Sequence, residues 1–153
     1  MERIASFSIN HDTLVPGMYT SRVDGDIVTY DVRMKKPNNG DAYSTAAGHT
    51  FEHLFATYVR NTDFSDGIIY VGPMGCRTGF YFLVRDCISP EDAIKLVQDS
   101  CDFILQFDGP IPGATRAECG NYLDHDLAGC KELAAELKEN LAGWTPEQLA
   151  YPE

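Results

Sequence analysis

At 153 residues the chain is long enough to bury one core and too short for two ordinary domains. With 44% hydrophobic and 23% charged residues it has the composition of a globular protein, not of a disordered or fibrous one. Acids outnumber bases 23 to 12, and the net charge of -11 disfavours nucleic acid and anionic membrane as partners, since binding either needs clustered Lys and Arg.

The first residues, Met-Glu-Arg-Ile-Ala-Ser, lead into no apolar stretch of the kind a secretory signal carries. No apolar run reaches the roughly 18–20 residues of a membrane-spanning helix. Five cysteines, an odd number, predict free thiols in a reducing cytoplasm and not a disulfide framework. No repeat, low-complexity tract or linker divides the chain, so residues 1–153 are expected to form a single domain.

In chain order, residues 19–23 and 27–34 read as strands around the turn signal Asp24-Gly25-Asp26. In the second, Val28, Tyr30, Val32 and Met34 alternate onto one face, which sends Arg33 to the other. A loop over residues 35–42 precedes a helix over residues 45–58, with Phe51, Leu54, Phe55, Tyr58 and Val59 at helical spacing. Residues 66–71 and 80–84 read as two more strands. Ser89-Pro90-Glu91-Asp92 opens a second helix with a Ser cap, Pro at its first position and acids in its first turn. Cys101 falls on that helix's apolar stripe, and Cys130 on the stripe of a third helix running from Leu127 to Leu141, so both read as core residues. Cys87, at a strand end, takes no assignment, and His125 reads as a residue at the start of the third helix. Thr145-Pro146-Glu147-Gln148 resembles the cap of a short last helix. Early strands and late helices predict an α+β fold, a mainly antiparallel sheet with helices packed on one face.

The chemistry-bearing stretch is His49-Thr50-Phe51-Glu52-His53. Residues four apart share a helix face, so His49 and His53 can reach one metal ion, with Glu52 placed to act as base on what the metal holds. The same pattern also fits two histidines and a glutamate on a solvated face. Two thiols weigh against that reading. Cys76 stands in Pro73-Met74-Gly75-Cys76-Arg77-Thr78-Gly79, a tight turn between strands that lifts it out of the sheet, and Cys119 sits in a loop before Gly120. Two histidines and a thiolate make three ligands and leave a fourth position open, as a catalytic site requires.

These three motifs, in this order and spacing, resemble those of the LuxS family, the S-ribosylhomocysteine lyases. The resemblance runs from Ser6 to about Leu141. It implies that His49, His53 and Cys119 bind one divalent transition metal per chain, Fe(II) natively with Zn(II) as substitute. It implies that Cys76 and Glu52 are the acid–base pair, and that Ser6, His11 and Arg33 bind substrate. It also implies a cytoplasmic enzyme that cleaves S-ribosylhomocysteine to homocysteine and 4,5-dihydroxy-2,3-pentanedione, the autoinducer-2 precursor, and a homodimer with shared active sites. With Arg33 turned from the apolar row of its strand, the expected partition gives His49, Glu52, His53, Cys76 and Cys119 to one chain and Ser6, His11 and Arg33 to the other. The sequence departs from the family pattern at Tyr70, where an acid is usual, and at Gly72, where a serine is usual. The rival readings are a small metallopeptidase of the His-x-x-Glu-His type, which needs a distant glutamate as third ligand and leaves both thiols idle, and a metal-stabilised binding module, which needs four protein ligands.

Overall fold

A computed structural model describes residues 1–153. Strands β1 (Gly17–Asp24) and β2 (Ile27–Arg33) form a hairpin, followed by helix α1 (Thr45–Val59). A second hairpin, β3 (Ile68–Pro73) and β4 (Gly79–Arg85), leads to helices α2 (Pro90–Gln106) and α3 (Leu127–Asn140). Short 3-10 turns lie at Ala5–Phe7, Ser65–Gly67 and Pro146–Leu149. The four strands make one antiparallel sheet in the order β1-β2-β4-β3. The α+β expectation holds. The third strand starts at Ile68 because Ser65–Gly67 coils into a turn, and the short final helix is the 3-10 turn at Pro146–Leu149, closed by reciprocal Thr145 and Gln148 contacts.

The β2–β4 register pairs Val28 with Val84, Tyr30 with Phe82 and Val32 with Phe80. Side chains alternate along a strand, so these three pairs share one face. That face packs on the helices: Phe82 meets Phe55 of α1 at 5.1 Å between ring centroids, and Phe80 meets Phe51 at 5.1 Å. Cys101 of α2 and Cys130 of α3 are fully buried in the same core, as their positions on the helical stripes predict.

The opposite face is built around Asp31, which pairs with Tyr19 on one side and Tyr81 on the other. Here the last residues of the chain fold back. The Trp144 indole donates to the Met18 carbonyl at 3.0 Å, the Tyr151 ring stacks on Tyr19 at 5.1 Å, and the Tyr151 hydroxyl donates to Asp31 Oδ2 at 2.7 Å. Burial, with the Asp31 carboxylate alongside, raises the Tyr151 pKa, so the phenol keeps its proton and acts as donor. The C-terminal segment thus covers the part of the sheet's second face around Tyr19 and Asp31.

Phe82 is inaccessible to solvent and touches Tyr30 and Phe55. Phe82→Ala is expected to destabilise the fold by about 3–5 kcal/mol, measured as a lowered urea midpoint.

Candidate active site

Helix α1 begins where the Ser44 hydroxyl accepts from the Ala47 amide at 3.1 Å. It buries Ala47, Thr50, Phe51, Leu54, Phe55 and Val59, which leaves His49, Glu52 and His53 half-buried on the side turned from the core. Two carbonyls fix both imidazoles. His49 Nδ1 lies 2.8 Å from the Asp124 carbonyl and His53 Nδ1 lies 2.7 Å from the Pro112 carbonyl. A carbonyl only accepts, so each Nδ1 carries a proton and each Nε2 bears a free lone pair. The two Nε2 atoms face one another at 3.1 Å, and the ring planes stand 86° apart. Two lone pairs so placed repel unless a cation joins them, and perpendicular rings let both point at one ion.

Cys119 supplies the third group. Its amide donates to the Thr115 carbonyl at 3.0 Å, in a turn braced by Thr115 Oγ1 donating to Glu118 Oε2 at 2.7 Å, and its Sγ lies 3.4 Å from His49 Nε2. Two imidazoles and a thiolate form a donor set that suits a transition metal and not Mg or Ca. The third group is therefore a thiol and not the distant glutamate a His-x-x-Glu-His peptidase needs.

The structure adds a fourth residue to this cluster. His125 offers a ring nitrogen within 4.8 Å of the corresponding atoms of His49, His53 and Cys119. It stacks on His49 with centroids 4.0 Å apart, and its Nδ1 lies 2.9 Å from Thr50 Oγ1. The sequence reading placed it correctly beside the start of α3, whose cap is Asp126, but missed its approach to His49, His53 and Cys119. The available signal was a histidine six residues after Cys119 in one loop. Burial, then the neighbouring His49 and His53, hold its pKa below the usual imidazole range.

Cys76 stands at the tip of the β3–β4 hairpin, where Arg77 N–H donates to the Met74 carbonyl at 3.0 Å. Arg77 adopts a left-handed φ of 58° and is held there by exchange with Tyr43: its carbonyl accepts from the Tyr43 amide at 3.0 Å and its Nη1 donates to the Tyr43 carbonyl at 2.9 Å. The close approach expected of glycine occurs at Gly79, where a Cβ would lie 2.9 Å from the Val32 carbonyl oxygen. Cys76 itself is exposed, with Thr78 Oγ1 at 3.1 Å and Arg33 Nη1 at 3.9 Å. It opens onto a pocket that His11, Lys36, Asn38 and Asp41 also line.

Arg33 corrects the expected partition. Its guanidinium is 2% exposed and donates within its own chain, to both Asp31 oxygens at 3.1 and 2.7 Å and to Thr78 Oγ1 at 2.8 Å. It does lie on the face away from the apolar row. That face, however, carries its own polar interior, so Arg33 and Cys76 are neighbours in one chain. Burial alone would lower the Arg33 pKa, but the Asp31 carboxylate outweighs it and raises the net value, keeping the guanidinium charged. His11 and Cys76 share one pocket; His49 and Glu52 line another, on the side of the hairpin tip bounded by Gly75 and Arg77. Ser6, in the turn Ala5–Phe7, lines neither.

The family model for LuxS, S-ribosylhomocysteinase, matches residues 4–148. This chain belongs to the LuxS family. It is 46% identical to the S-ribosylhomocysteine lyase of Clostridium beijerinckii over 99% of each chain. It is 47% identical to that of Phocaeicola vulgatus, over 99% of this chain and 98% of the other, and 43% identical to that of Clostridium acetobutylicum over the whole of both. Against the LuxS pattern, the departures at 70 and 72 prove to be a pair. An ideal Cβ on Gly72 would lie 2.3 Å from the Tyr70 ring, so the aromatic lies over the space a serine would fill. Tyr70 is half-exposed and lines a pocket with Glu52, His53 and Arg60.

Two outcomes follow for this LuxS chain. Cys119→Ala and His49→Ala should each weaken metal binding at least about tenfold, read as metal content after dialysis against a chelator, because even an outer partner of a ligand is worth that much. Burial pushes the Cys101 and Cys130 thiols up to about 12, so at pH 8 both stay protonated as well as inaccessible. Iodoacetamide should therefore label exposed Cys76 and Cys87 in the folded protein and reach Cys101 and Cys130 only after denaturation, as peptide mass mapping would report.

Proposed function

We propose that this chain is an S-ribosylhomocysteine lyase, releasing homocysteine and 4,5-dihydroxy-2,3-pentanedione, the autoinducer-2 precursor. The observation that carries the reading is the convergence of His49 Nε2, His53 Nε2 and Cys119 Sγ beside Glu52, in a chain whose full-length relatives bear that name. His49, His53 and Cys119 would hold the ion, Fe(II) natively and Zn(II) as substitute, and when bound it supplies Lewis-acid polarisation of the sugar oxygens.

The reaction moves a ribose carbonyl along the sugar by two proton transfers between neighbouring carbons. A third abstraction, at the carbon beside the relocated carbonyl, expels the sulfur as homocysteine thiolate. Cys76 carries the transfers between carbons: its thiol stands at an exposed tip, opens onto the pocket that His11 lines and lies 3.9 Å from the Arg33 guanidinium. Thr78, accepting from Arg33 and 3.1 Å from Sγ, holds that thiol in place. Glu52, on the ligand face of α1, serves the end of the substrate that loses sulfur. His11, fixed by an Nδ1 contact of 2.9 Å to the Ile9 carbonyl, and Ser6 orient the sugar.

The active form is a homodimer with shared sites. Cys76 and His11 line one pocket, with Arg33 buried behind the thiol, and Glu52 and His49 line another. Joining the first set of one chain to the second set of its partner across a two-fold axis builds two complete sites. Exposed Ile4, Phe7 and Val15, in the segment that carries Ser6 and His11, supply apolar surface for that interface.

Incubation of the Fe(II)-loaded protein with S-ribosylhomocysteine should release free thiol, and absence of release sinks the reading. Cys76→Ala should retain metal and lose roughly 10²–10⁴-fold in kcat. Mixing Cys76→Ala with Glu52→Gln under subunit exchange should restore about a quarter of parental activity, since half the dimers are mixed and each holds one intact site. Cys76→Ala with Arg33→Ala, two defects in the same half, should restore none. Mixed Cys76→Ala/Glu52→Gln dimers without recovery would mean that each site is built within one chain.

A further inference from the structure

Arg77 holds a backbone conformation that its residue type disfavours. Its φ of 58° lies in the left-handed region, which glycine enters freely and a residue with a Cβ does not. The β3–β4 tip has glycine at 75 and 79, yet its one residue with positive φ is an arginine. Strain of this kind persists where the surroundings over-determine it, and it gathers at the working parts of a protein.

What the arginine supplies is a second bond to Tyr43. A residue of any type at 77 can accept from the Tyr43 amide through its carbonyl, at 3.0 Å here. A long cationic side chain also returns a donor to the Tyr43 carbonyl, here Nη1 at 2.9 Å. Tyr43 is fixed at its far end as well. Its hydroxyl donates to the Gly79 carbonyl at 2.9 Å and its ring stacks on Phe80 at 5.6 Å, so it grips the tip twice. The same ring lies against helix α1, where a Cβ on Gly48 would run into it. Glycine inside a helix is a second locally unfavourable choice. Both choices bring Tyr43 closer to its neighbours, the first to the tip and the second to α1.

Cys76 directly precedes Arg77, and His49 directly follows Gly48. Arg77, Tyr43 and Gly48 therefore link the thiol to the metal-cluster helix through groups that bond or touch. Thr78 and Arg33 hold the thiol from the sheet, and neither side chain bonds to α1. The tip also borders both pockets, since Arg77 lines that of His49 and Glu52 while Cys76 lines that of His11.

We propose that Arg77 is a positioning residue: through Tyr43 it holds the Cys76 tip in register with helix α1. The inference rests on the lyase reading for the turnover that depends on this register. Each chain gives both residue sets to the dimer, so their spacing within one chain decides whether they meet across the two-fold axis.

The test compares Arg77→Ala, Arg77→Gly and Arg77→Lys, each loaded with Fe(II). All three should keep the parental metal content, because the carbonyls that aim His49 and His53 belong to Asp124 and Pro112. Arg77→Ala should lose about 10–100-fold in kcat with KM within about threefold of the parent, as expected of a reacting group displaced by about 1 Å. Arg77→Gly removes the strain together with the clamp, so it should melt above Arg77→Ala and yet lose kcat to the same extent. A role confined to stability would instead make kcat follow the melting temperature. Arg77→Lys keeps a donor and should recover part of the loss. Hydrogen exchange gives a readout independent of turnover. The amides of residues 43 and 77, bonded to the Arg77 and Met74 carbonyls, should exchange about tenfold faster in Arg77→Gly while amides within α1 stay protected.

Parental kcat in Arg77→Gly would overturn the proposal, and so would a raised KM at parental kcat, which would make Arg77 a substrate contact. Lost metal, or unchanged exchange at both amides, would overturn it as well. Should Arg77→Ala fail to fold, Arg77→Gly, whose backbone suits the turn, carries the comparison with Arg77→Lys under the same criteria. Faster exchange at those amides, in variants of a parent that releases no thiol from S-ribosylhomocysteine, would overturn the lyase reading and leave the clamp standing.

Discussion

Helix α1 has to serve two environments at once, and the rest of the molecule is arranged around that requirement. Its Phe51, Leu54, Phe55 and Val59 are inaccessible to solvent and mesh with Phe80 and Phe82 of the sheet. With 3.6 residues per turn, driving those four inward leaves His49, Glu52 and His53 on the outer flank, with their spacing set by the core. The loops that reach this flank are polar backbone. The Asp124 and Pro112 carbonyls hold the two imidazoles, and the turn at Thr115 delivers Cys119. The core thus fixes the spacing of His49 and His53 along the helix, while the loops fix which way each ring and the thiol are turned.

A second polar constellation lies across the sheet. Asp31 and Arg33 are 1% and 2% exposed, a burial that would strongly disfavour either charge alone. The pair is tolerated because every strong contact is made: a two-pronged bond between them, Thr78 on one side and the Tyr151 hydroxyl on the other. The result is a cation fixed at the base of the Cys76 turn. Its Nη1 stands 3.9 Å from the Cys76 Sγ, and Thr78 Oγ1 touches both groups.

What could be read from the sequence, and what could not, follows from the range of each signal. The α1 stripe, the His49/His53 pair and the Pro90 helix start are local patterns, and each emerged where expected. Strand alternation correctly turned Arg33 from the apolar row. Alternation says which face a side chain takes and nothing of what covers that face. The cover is Tyr151, 120 positions along the chain from its partner Asp31, so Arg33 looked as if it needed a second subunit when it was already enclosed. His125 escaped for a related reason. Its place beside α1 depends on a contact with Thr50 spanning 75 positions, and no helical or strand period relates the two.

The Tyr70–Gly72 pair has an implication for how this site can vary. With glycine at 72 the phenol lies across the strand and forms part of the wall next to Glu52 and His53. Any side chain at 72 would evict the ring, and since Tyr70 is already half in solvent it has somewhere to swing. Position 72, which lines neither that pocket nor the one holding His49, therefore works as a latch on the wall that Tyr70 forms. A lineage could reshape that wall by one methyl group placed outside the pocket, leaving His49, His53, Cys119, Glu52 and Cys76 untouched.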